Sequence, residues 1–476
     1  MTINRKKPPV YILICLLVLS LFSGCVILPA SNTTAGDKPP LPSIEPFRVY
    51  YLNYDPITPL ILTYAAQNTH CEAVGFATPN DMDSQVEQDI KNGTAPDLIL
   101  LNRDSGIDAV RMAEMGLLEN FAEYIEKDTT YDAENYYGNV MNAGIVNGGQ
   151  YVLPMSFYVP FLVSSEETMA RYGILMPEQP TWEDIFSALR TNAEDLAKDD
   201  EHCALAWLGN NSAGVYRTPL LLGIAGYDVT LHGAEGLLND GARAALDFQI
   251  AINDDYEKSK PIVEAYRAMR PYHSDFVGNF TGENFAEAVL TATFPMGMMH
   301  MADEARFYDM MYQTVLWQKT RLIPLPTQAD PNSYHAFVSL AAIIPVTAED
   351  GAKQSAYEMV RTLMDSDSLA HLRGKHSIAV SRAVTQRYLE EIAKDSAGRS
   401  AGDLTIEPLS EELKNQIQDV LDNISGASLT RKWVEEILAN HGMLYQQGRF
   451  GYEEFVEEVT MALNDYNAGE EFIRLF

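Results

Sequence analysis

The chain has 476 residues, 46% of them hydrophobic, and its 34 Lys and Arg stand against 66 Asp and Glu, a net charge of −32. This composition excludes a disordered chain, and the acidic balance argues against binding of nucleic acid or of anionic membrane surfaces. The length exceeds what one compact core accommodates, so we expect two or three domains.

The N-terminal segment has the pattern of a secretory signal. Basic residues 5–7 precede an apolar run, 10–22, which is shorter than the roughly 20 residues that span a bilayer. The run ends in Phe-Ser-Gly-Cys, which resembles the lipobox of bacterial lipoproteins, although leucine usually replaces the phenylalanine. We therefore expect 1–24 to be a lipoprotein signal peptide and 25–45 to comprise a lipidated Cys25 and a flexible tether. The alternative is an ordinary signal anchor with an incidental cysteine.

Strands and helices alternate from residue 47 onwards. The third strand is wholly apolar, as in a parallel sheet that is covered on both faces, and the alternation indicates an α/β domain. The β-rich apolar runs predict strands at 47–53, 71–77 and 96–101, and the helical patterns predict helices at 56–67, 83–93 and 106–121.

Beyond these elements, the extended run 151–165 contains two prolines and predicts a strand pair that crosses between domains. Thr181 and Asp184 have the spacing of a capping box at the start of a helix. The C-terminal part, 410–466, keeps a helical spacing of apolar residues and predicts helices only.

Cys71 and Cys203 are the two cysteines that remain once the signal segment is set aside. Outside the cell they could form a disulfide. The other interpretation is two buried thiols.

Four stretches, 90–102, 116–121, 152–189 and 335–367, together resemble the extracellular solute-binding proteins of ABC importers. The resemblance is to the carbohydrate-binding cluster that includes maltose-binding protein. It implies an α/β fold of two lobes, of the periplasmic-binding-protein-like type II, with a ligand cleft between lobes joined by three crossings.

The same resemblance implies how the chain is divided. The N-terminal lobe would comprise 46–157 plus 293–331, and the C-terminal lobe 158–292 plus 332–476. The three crossings would lie near residues 156–160, 291–294 and 331–336.

The family implies a lipid-anchored protein on the extracytoplasmic face of the cell membrane. It would capture a solute, a carbohydrate first of all, and deliver it to the permease subunits of an ABC-type importer. We expect a monomer without cofactor or metal. The alternatives are a sensor or scaffold lipoprotein of the same fold, or binding of a non-sugar solute.

The resemblance also places candidate ligand-binding residues at strand ends and crossings. Ligands of open α/β sheets lie beyond the carboxyl ends of the strands, and sugars need polar groups for hydroxyls and aromatic rings for stacking. The candidates are Asn53, Asp55, Asn102, Asp104, Tyr158, Trp207, Tyr216, His300 and Tyr334.

Each candidate has a structural alternative. Asp104 would instead cap the helix that follows it, the tyrosines would be packing residues, and His300 would be a satisfied core histidine. The family often has Trp in the turn at 299–301, where this chain has Met-His-Met. A stacking platform is thus missing or moved, which leaves smaller or more polar solutes open.

An enzyme is the rival class. The sequence lacks Ser-x-x-Lys, His-Glu-x-x-His and the P-loop pattern, and its 9 histidines show no metal-ligand spacing. We therefore expect no catalytic activity, although 66 acidic residues give many chance carboxylate pairs.

Overall fold

The computed structural model describes a large part of the chain, and the account below is confined to that part. The described residues are 45–165 except 56, 169–170, 175–184, 222–247 except 228 and 230–232, 297–300, 320–366, 378–396, 400–401, 404–405, 411–469 and 471–473. The expected signal peptide, Cys25 and Cys203 lie outside the described residues.

The strands are numbered here in chain order. They are β1 Phe47–Leu52, β2 Cys71–Phe76, β3 Leu98–Asn102, β4 Ile145–Val146, β5 Gly149–Gln150, β6 Leu153–Tyr158, β7 Pro160–Ser165, β8 Gly297–His300, β9 Thr320–Pro324, β10 Tyr334–Ile343, β11 Ile378–Ala379, β12 Ser400–Ala401, β13 Leu404–Thr405 and β14 Ile424–Ser428.

The α-helices are numbered in the same way. They are α1 Thr58–Gln67, α2 Pro79–Asn92, α3 Ala109–Glu114, α4 Ala122–Lys127, α5 Gly138–Met141, α6 Asp350–Met364, α7 Arg382–Ser396, α8 Glu411–Asp422, α9 Lys432–Gln446 and α10 Tyr452–Ala468.

The main sheet has seven strands in the order β11-β6-β10-β3-β1-β2, and β14 pairs with the first half of β10. The strands β1, β2 and β3 are parallel, whereas β10 runs antiparallel to β3 and β6. The parallel strands confirm the α/β pattern predicted from the alternation of elements. Their carboxyl ends lie at one edge of the sheet, where Leu52 leads into one loop and Asn102 into another.

The ends and the buried face of helix α2 follow from its local sequence. It begins four residues earlier than predicted because Thr78 caps it, its side chain accepting a hydrogen bond from the Asp81 N–H. It ends where Gly93 adopts a left-handed φ of 70°. Met82 and Val86 lie on its buried face and belong to the main core with the strands.

A second, smaller sheet has the order β8-β7-β9 and is antiparallel. A second core lies among α9, α10 and the segment 222–246, with Leu222, Leu438, Phe455 and Val459 fully or almost fully buried. The part of the chain that the structure describes therefore contains two hydrophobic cores, as expected for two lobes.

The observed strand pairing corrects two expected lobe boundaries. Strand β10 lies inside the main sheet, so residues 334–343 belong with the N-terminal strands and not with 332–476. Strands β8 and β9 pair with β7, so 297–324 belongs with the second sheet and not with the N-terminal lobe. The physical reason is visible in β10: nine of its ten residues are buried, which requires neighbours on both edges and both faces.

The chain passes from the main sheet to the second one at Val159 and returns between Pro324 and Tyr334. Both passages overlap expected crossings, at 156–160 and 331–336, and the expected crossing at 291–294 lies outside the described residues. A further passage, not expected, leads from β14 through residues 429–431 into α9, which packs in the second core.

The prediction that 410–466 is entirely helical is wrong at one place. Residues Ile424–Ser428 form β14, because they add a parallel strand to β10. Cys71 is a free, buried thiol 4.0 Å from the Met359 sulfur, and burial raises its pKa to about 11. Among the described helices, none combines the length and apolar character needed to cross a bilayer.

Candidate ligand-binding site

The loops that follow β1 and β3 bring a group of polar side chains together at the carboxyl edge of the main sheet. We call Asn53, Tyr54, Asp55, Asn102 and Asp104 the strand-end cluster. The Tyr54 hydroxyl donates to Asp104 Oδ2 at 3.1 Å, and the Asp104 N–H donates to Asn102 Oδ1 at 2.9 Å. Parallel pairing of β1 with β3 places the two loops side by side, since both strands end at this edge.

The cluster is open to solvent, although its members differ. Asn53 and Asp104 are exposed, Asp55 and Asn102 are partly exposed, and the Tyr54 ring is 47% exposed. These accessible carboxylate, amide and hydroxyl groups follow directly after two largely buried strands and are suited to a polar ligand.

The electrostatics of the cluster centre on Asp55. Burial raises the pKa of its carboxyl to about 6, the negative charge of Asp104 adds to this rise, and hydrogen bonding with Asn102 opposes it. A carboxyl whose pKa is perturbed both by burial and by a neighbouring acidic group is a candidate for a functional role.

Asp104 does not cap the helix that follows it. The residue at the N-cap of α3 is Asp108, whose Oδ1 accepts from the Arg111 N–H at 3.0 Å. Because Asp108 meets the needs of the helix terminus, the structural alternative considered for Asp104 is not realised, and its carboxylate faces Tyr54 and solvent.

Next to the cluster, Tyr158 lies in a stack of rings at the first crossing. Its ring packs face to face with Phe337 at 5.3 Å and 19°, and the Arg103 guanidinium lies 5.6 Å from its centroid. His335 meets Phe337 edge to face, and its Nε2 lies 2.5 Å from Ser428 Oγ. With Phe337 and Arg103 both packed against its ring, Tyr158 is 8% exposed and has little face left for a sugar.

Arg103 connects this stack to the strand-end cluster and to α9. Its pKa is raised by the neighbouring Tyr158 and also by the charges of Asp104 and Glu435, which outweigh the effect of burial. Glu435 lies in the first turn of α9, a helix of the second core. Arg103 thus stands between acidic groups of the two parts of the molecule.

The structure brings together Asp55, Asn102 and Asp104, three of the predicted residues, and Asn53 lies in the same loop directly after β1. Tyr334 is buried in the main core, and burial together with Asp419 and Asp330 raises its pKa to about 12. Contact of Tyr334 with a ligand stays a prediction.

Three further candidates belong to other parts of the chain. His300 is the last residue of β8 and pairs in register with Pro160, next to the first crossing. Trp207 and Tyr216 lie outside the described residues.

Sequence reasoning missed Tyr54, Phe337 and Glu435. Tyr54 could have been found, because an aromatic residue between two polar ones directly after a buried strand is exposed by position. Phe337 and Glu435 carried no such signal, since one lies within an apolar strand and the other is one of two adjacent glutamates near the start of a helix.

The region around Ser400 has a sequence pattern that is typical of some hydrolases. The sequence contains Gly-x-Ser-x-Gly around Ser400, which in α/β hydrolases forms a strand-to-helix turn. Here Ser400 lies in β12, which pairs with β13 in antiparallel fashion. Within the described ranges, no three His, Cys, Asp or Glu side chains gather in a way that could hold a metal ion.

No protein-family model and no curated protein sequence matches the chain. Solved structures do match it in fold. The sugar-binding protein MalE from Xanthomonas citri has a TM-score of 0.61 at 12% identity, over 89% of this chain and 97% of that one. An ABC substrate-binding protein from Listeria monocytogenes in complex with cycloalternan has a TM-score of 0.54 at 14% identity, over 89% and 98%.

A solute-binding protein of an ABC transporter from Thermotoga lettingae, bound with α-D-tagatose, has a TM-score of 0.55 at 12% identity, over 89% of this chain and 100% of that one. Each of these three similarities covers 89% of this chain. The chain therefore has the two-lobed α/β fold of type II solute-binding proteins and resembles the sugar-binding members of that group.

Proposed function

We propose that this chain captures a carbohydrate in the cleft beside the strand-end cluster and delivers it to an ABC-type importer. The observation that carries the proposal is the cluster itself: accessible carboxylate, amide and tyrosine side chains stand at the carboxyl edge of the main sheet. Ligands of open α/β folds lie at this edge.

The chemistry of the cluster suits a polyhydroxylated ligand. Asp55 and Asp104 accept hydrogen bonds from hydroxyl groups, and the amides of Asn53 and Asn102 both donate and accept. The exposed ring of Tyr54 offers an apolar face of the kind that packs against a sugar ring. It is a replacement for the aromatic residue that the sequence lacks at 299–301.

The similar structures support a sugar as the ligand class. The proteins that resemble this chain are described with cycloalternan and with α-D-tagatose, which range from a cyclic oligosaccharide to a monosaccharide. The cluster fits a neutral ligand of this kind, because Arg103 stands among the acidic groups Asp104 and Glu435 and an added anion would meet more negative than positive charge.

Closure of the lobes would follow from the same geometry. Arg103 belongs to a loop of the main sheet and Glu435 to a helix of the second core, and the two interact electrostatically. A ligand in the cleft adds hydrogen bonds to both sides, which favours the closed arrangement. A permease can then distinguish the closed protein from the open one.

The protein would act at the cell membrane. The lipobox-like segment ending at Cys25 supports a lipid-anchored protein on the extracytoplasmic face, next to the permease subunits of the importer. Binding and release need no covalent step, so the proposed role is that of a carrier and not of an enzyme, and we expect the carrier to be a monomer.

A thermal-shift screen of the protein without residues 1–25 tests the proposal. The panel comprises maltotriose, mannotriose, cycloalternan, tagatose and single amino acids. A sugar at one hundred times its Kd should stabilise the protein by about 2.7 kcal/mol. Stabilisation by amino acids alone would overturn the carbohydrate assignment.

A further inference from the structure

The loop that carries Arg103 and Asp104 is attached to a buried carboxylate of helix α2. Asp83 is 0% exposed. Its Oδ1 accepts from the Ser105 hydroxyl at 2.8 Å, and its Oδ2 accepts from the Gly106 N–H at 2.6 Å. Asp83 is not part of the strand-end cluster, because it is buried beneath the loop and inaccessible to solvent.

Ser105 links Asp83 to the backbone of the same loop. Its Oγ, which donates to Asp83, also accepts from the Ile107 N–H at 3.2 Å, and its own N–H donates to the Asn102 carbonyl at 3.2 Å. The Asp104 N–H also donates to Asn102 Oδ1. Four consecutive backbone N–H groups, from Asp104 to Ile107, are therefore hydrogen-bonded. The conformation of the loop is thus defined by one strand-end amide and one buried carboxylate.

Keeping a carboxylate at this position is costly for the folded protein. Burial raises the pKa of Asp83 to about 6, although the bonds from Gly106 and Ser105 and the charge of Lys432 oppose the rise. Burying the Asp83 carboxylate costs free energy, and its hydrogen bonds all go to the loop 103–107. We therefore expect its role to be the stabilisation of that loop.

From this geometry we propose that Asp83 is a positioning residue for ligand binding, which holds the loop 103–107 in the conformation that presents Asp104. The inference rests on the proposed function, because it takes Asp104 as a ligand-binding residue. If the loop adopts its native conformation in only a fraction of the molecules, the apparent Kd rises by the inverse of that fraction. Loss of Asp83 should therefore weaken binding without removing any ligand contact.

Helix α2 itself provides a matched control. Asp89 is also buried, and its side chain accepts from the Tyr50 hydroxyl at 2.7 Å, from Gln85 Nε2 at 3.0 Å and from the Thr94 hydroxyl at 3.3 Å. Thr94 precedes β3, at the sheet edge opposite to the cluster. Asp83→Ala and Asp89→Ala thus remove buried carboxylates of one helix, and only the first touches the ligand loop.

The experiment measures the Kd for the panel sugar that stabilises the wild type most, by calorimetric titration well below each variant's melting temperature. We expect Asp83→Ala to raise the Kd at least tenfold and Asp89→Ala to leave it within twofold, even if both melt earlier. Asp83→Asn should restore most of the affinity, because its amide oxygen can accept from Gly106 and its NH2 can donate to Ser105. Equal Kd values for Asp83→Ala and Asp89→Ala would overturn the proposal.

A second measurement needs no ligand and separates this inference from the proposed function. Hydrogen exchange of the amides of residues 104–107 should be faster in Asp83→Ala than in Asp89→Ala. If no sugar binds the wild type, the proposed function fails, and the exchange rates still decide whether Asp83 holds the loop. Unchanged exchange at these amides would contradict the positioning role, and this measurement also applies to Ser105→Ala if Asp83→Ala does not fold.

Discussion

Two aspartates four residues apart, Asp104 and Asp108, have opposite surroundings. Asp104 is exposed and accepts a hydrogen bond from the Tyr54 hydroxyl, with Arg103 as a nearby cation. Asp108 is 0% exposed, and both of its oxygens lie 3.0 Å from Arg431 Nε. One aspartate thus lies in an open, polar cluster, and the other holds segments of the folded chain together.

The Asp108 cluster ties remote segments together. The Tyr466 hydroxyl of α10 donates to Asp108 Oδ2 at 2.8 Å, and the Asp108 N–H donates to the Phe472 carbonyl at 2.7 Å. Arg431 lies on the passage from β14 to α9, and Asp108 raises its pKa in spite of its burial. An acidic residue is thus a candidate for ligand binding where its partners leave some of its hydrogen-bonding capacity unused, and a structural residue where they occupy all of it.

The largest effect on stability should follow from disrupting the Asp108 cluster. Asp108→Ala leaves the buried Arg431 charge uncompensated, so we expect the free energy of unfolding to fall by about 3–5 kcal/mol, measured by urea denaturation. Asp422→Ala, which removes the half-exposed ion pair with Arg382, is the control and should cost about 0–1 kcal/mol. Equal costs for the two variants would remove the distinction between the buried cluster and a surface pair.

The second effect concerns the open aspartate. Asp104→Ala should weaken sugar binding ten- to hundredfold, because a hydrogen bond to a charged group contributes about 1.5–3 kcal/mol. The melting temperature should change little. Asp132→Ala, which removes an exposed turn aspartate bonded to the Glu134 N–H, is the control and should leave affinity unchanged. Unchanged affinity of Asp104→Ala with a lowered melting temperature would assign Asp104 to the structural class.

A smaller effect separates the ring of Tyr54 from its hydroxyl. Tyr54→Ala should weaken binding by about 0.5–1.5 kcal/mol, the amount typical of aromatic packing. Tyr54→Phe keeps the ring and loses only the bond to Asp104, so its affinity should lie between those of the wild type and the alanine variant. Calorimetric titration of both variants checks this, and wild-type affinity in Tyr54→Ala would exclude stacking on this ring.

The smallest effect is a dependence on pH. The pKa of Asp55 is about 6 in the folded protein and about 3.9 in an unfolded chain. A raised pKa of an acid stabilises the fold at low pH, and this contribution is lost as pH rises through 6. Relative to wild type, Asp55→Asn should therefore gain stability between pH 4 and 7, by less than about 1 kcal/mol per pH unit because the group is partly exposed.

Urea denaturation at a series of pH values measures this difference. Asp83, whose pKa is also raised to about 6, is present in both proteins, so its contribution cancels. A difference that stays constant over the range would show that Asp55 titrates normally.

Much of the N-terminal part could be predicted from sequence because its signals are local. The periodicity of apolar residues located β1, β2 and β3 to within two residues, and Gly93 marked the end of α2. The position of Asp55 and Asp104 directly after apolar strands placed them at one sheet edge, since parallel strands end together. Strand β14 was missed because Ile424–Ser428 is a short segment of mostly small residues without an alternating apolar pattern, and only pairing with β10 makes it a strand.

By itself the sequence determined the first strands and helices, the acidic character of the chain and the edge at which the candidate ligand groups stand. These depend on periodicity, caps and strand ends, which act over a few residues. The tertiary structure decided which lobe β10 joins, that Tyr158 packs against Phe337 and Arg103, and that Asp83 and Asp108 are saturated by partners 22 to 358 residues away. Contacts between such distant positions leave no periodic trace in the sequence, because they are selected by the packing of whole elements and not by their neighbours in the chain.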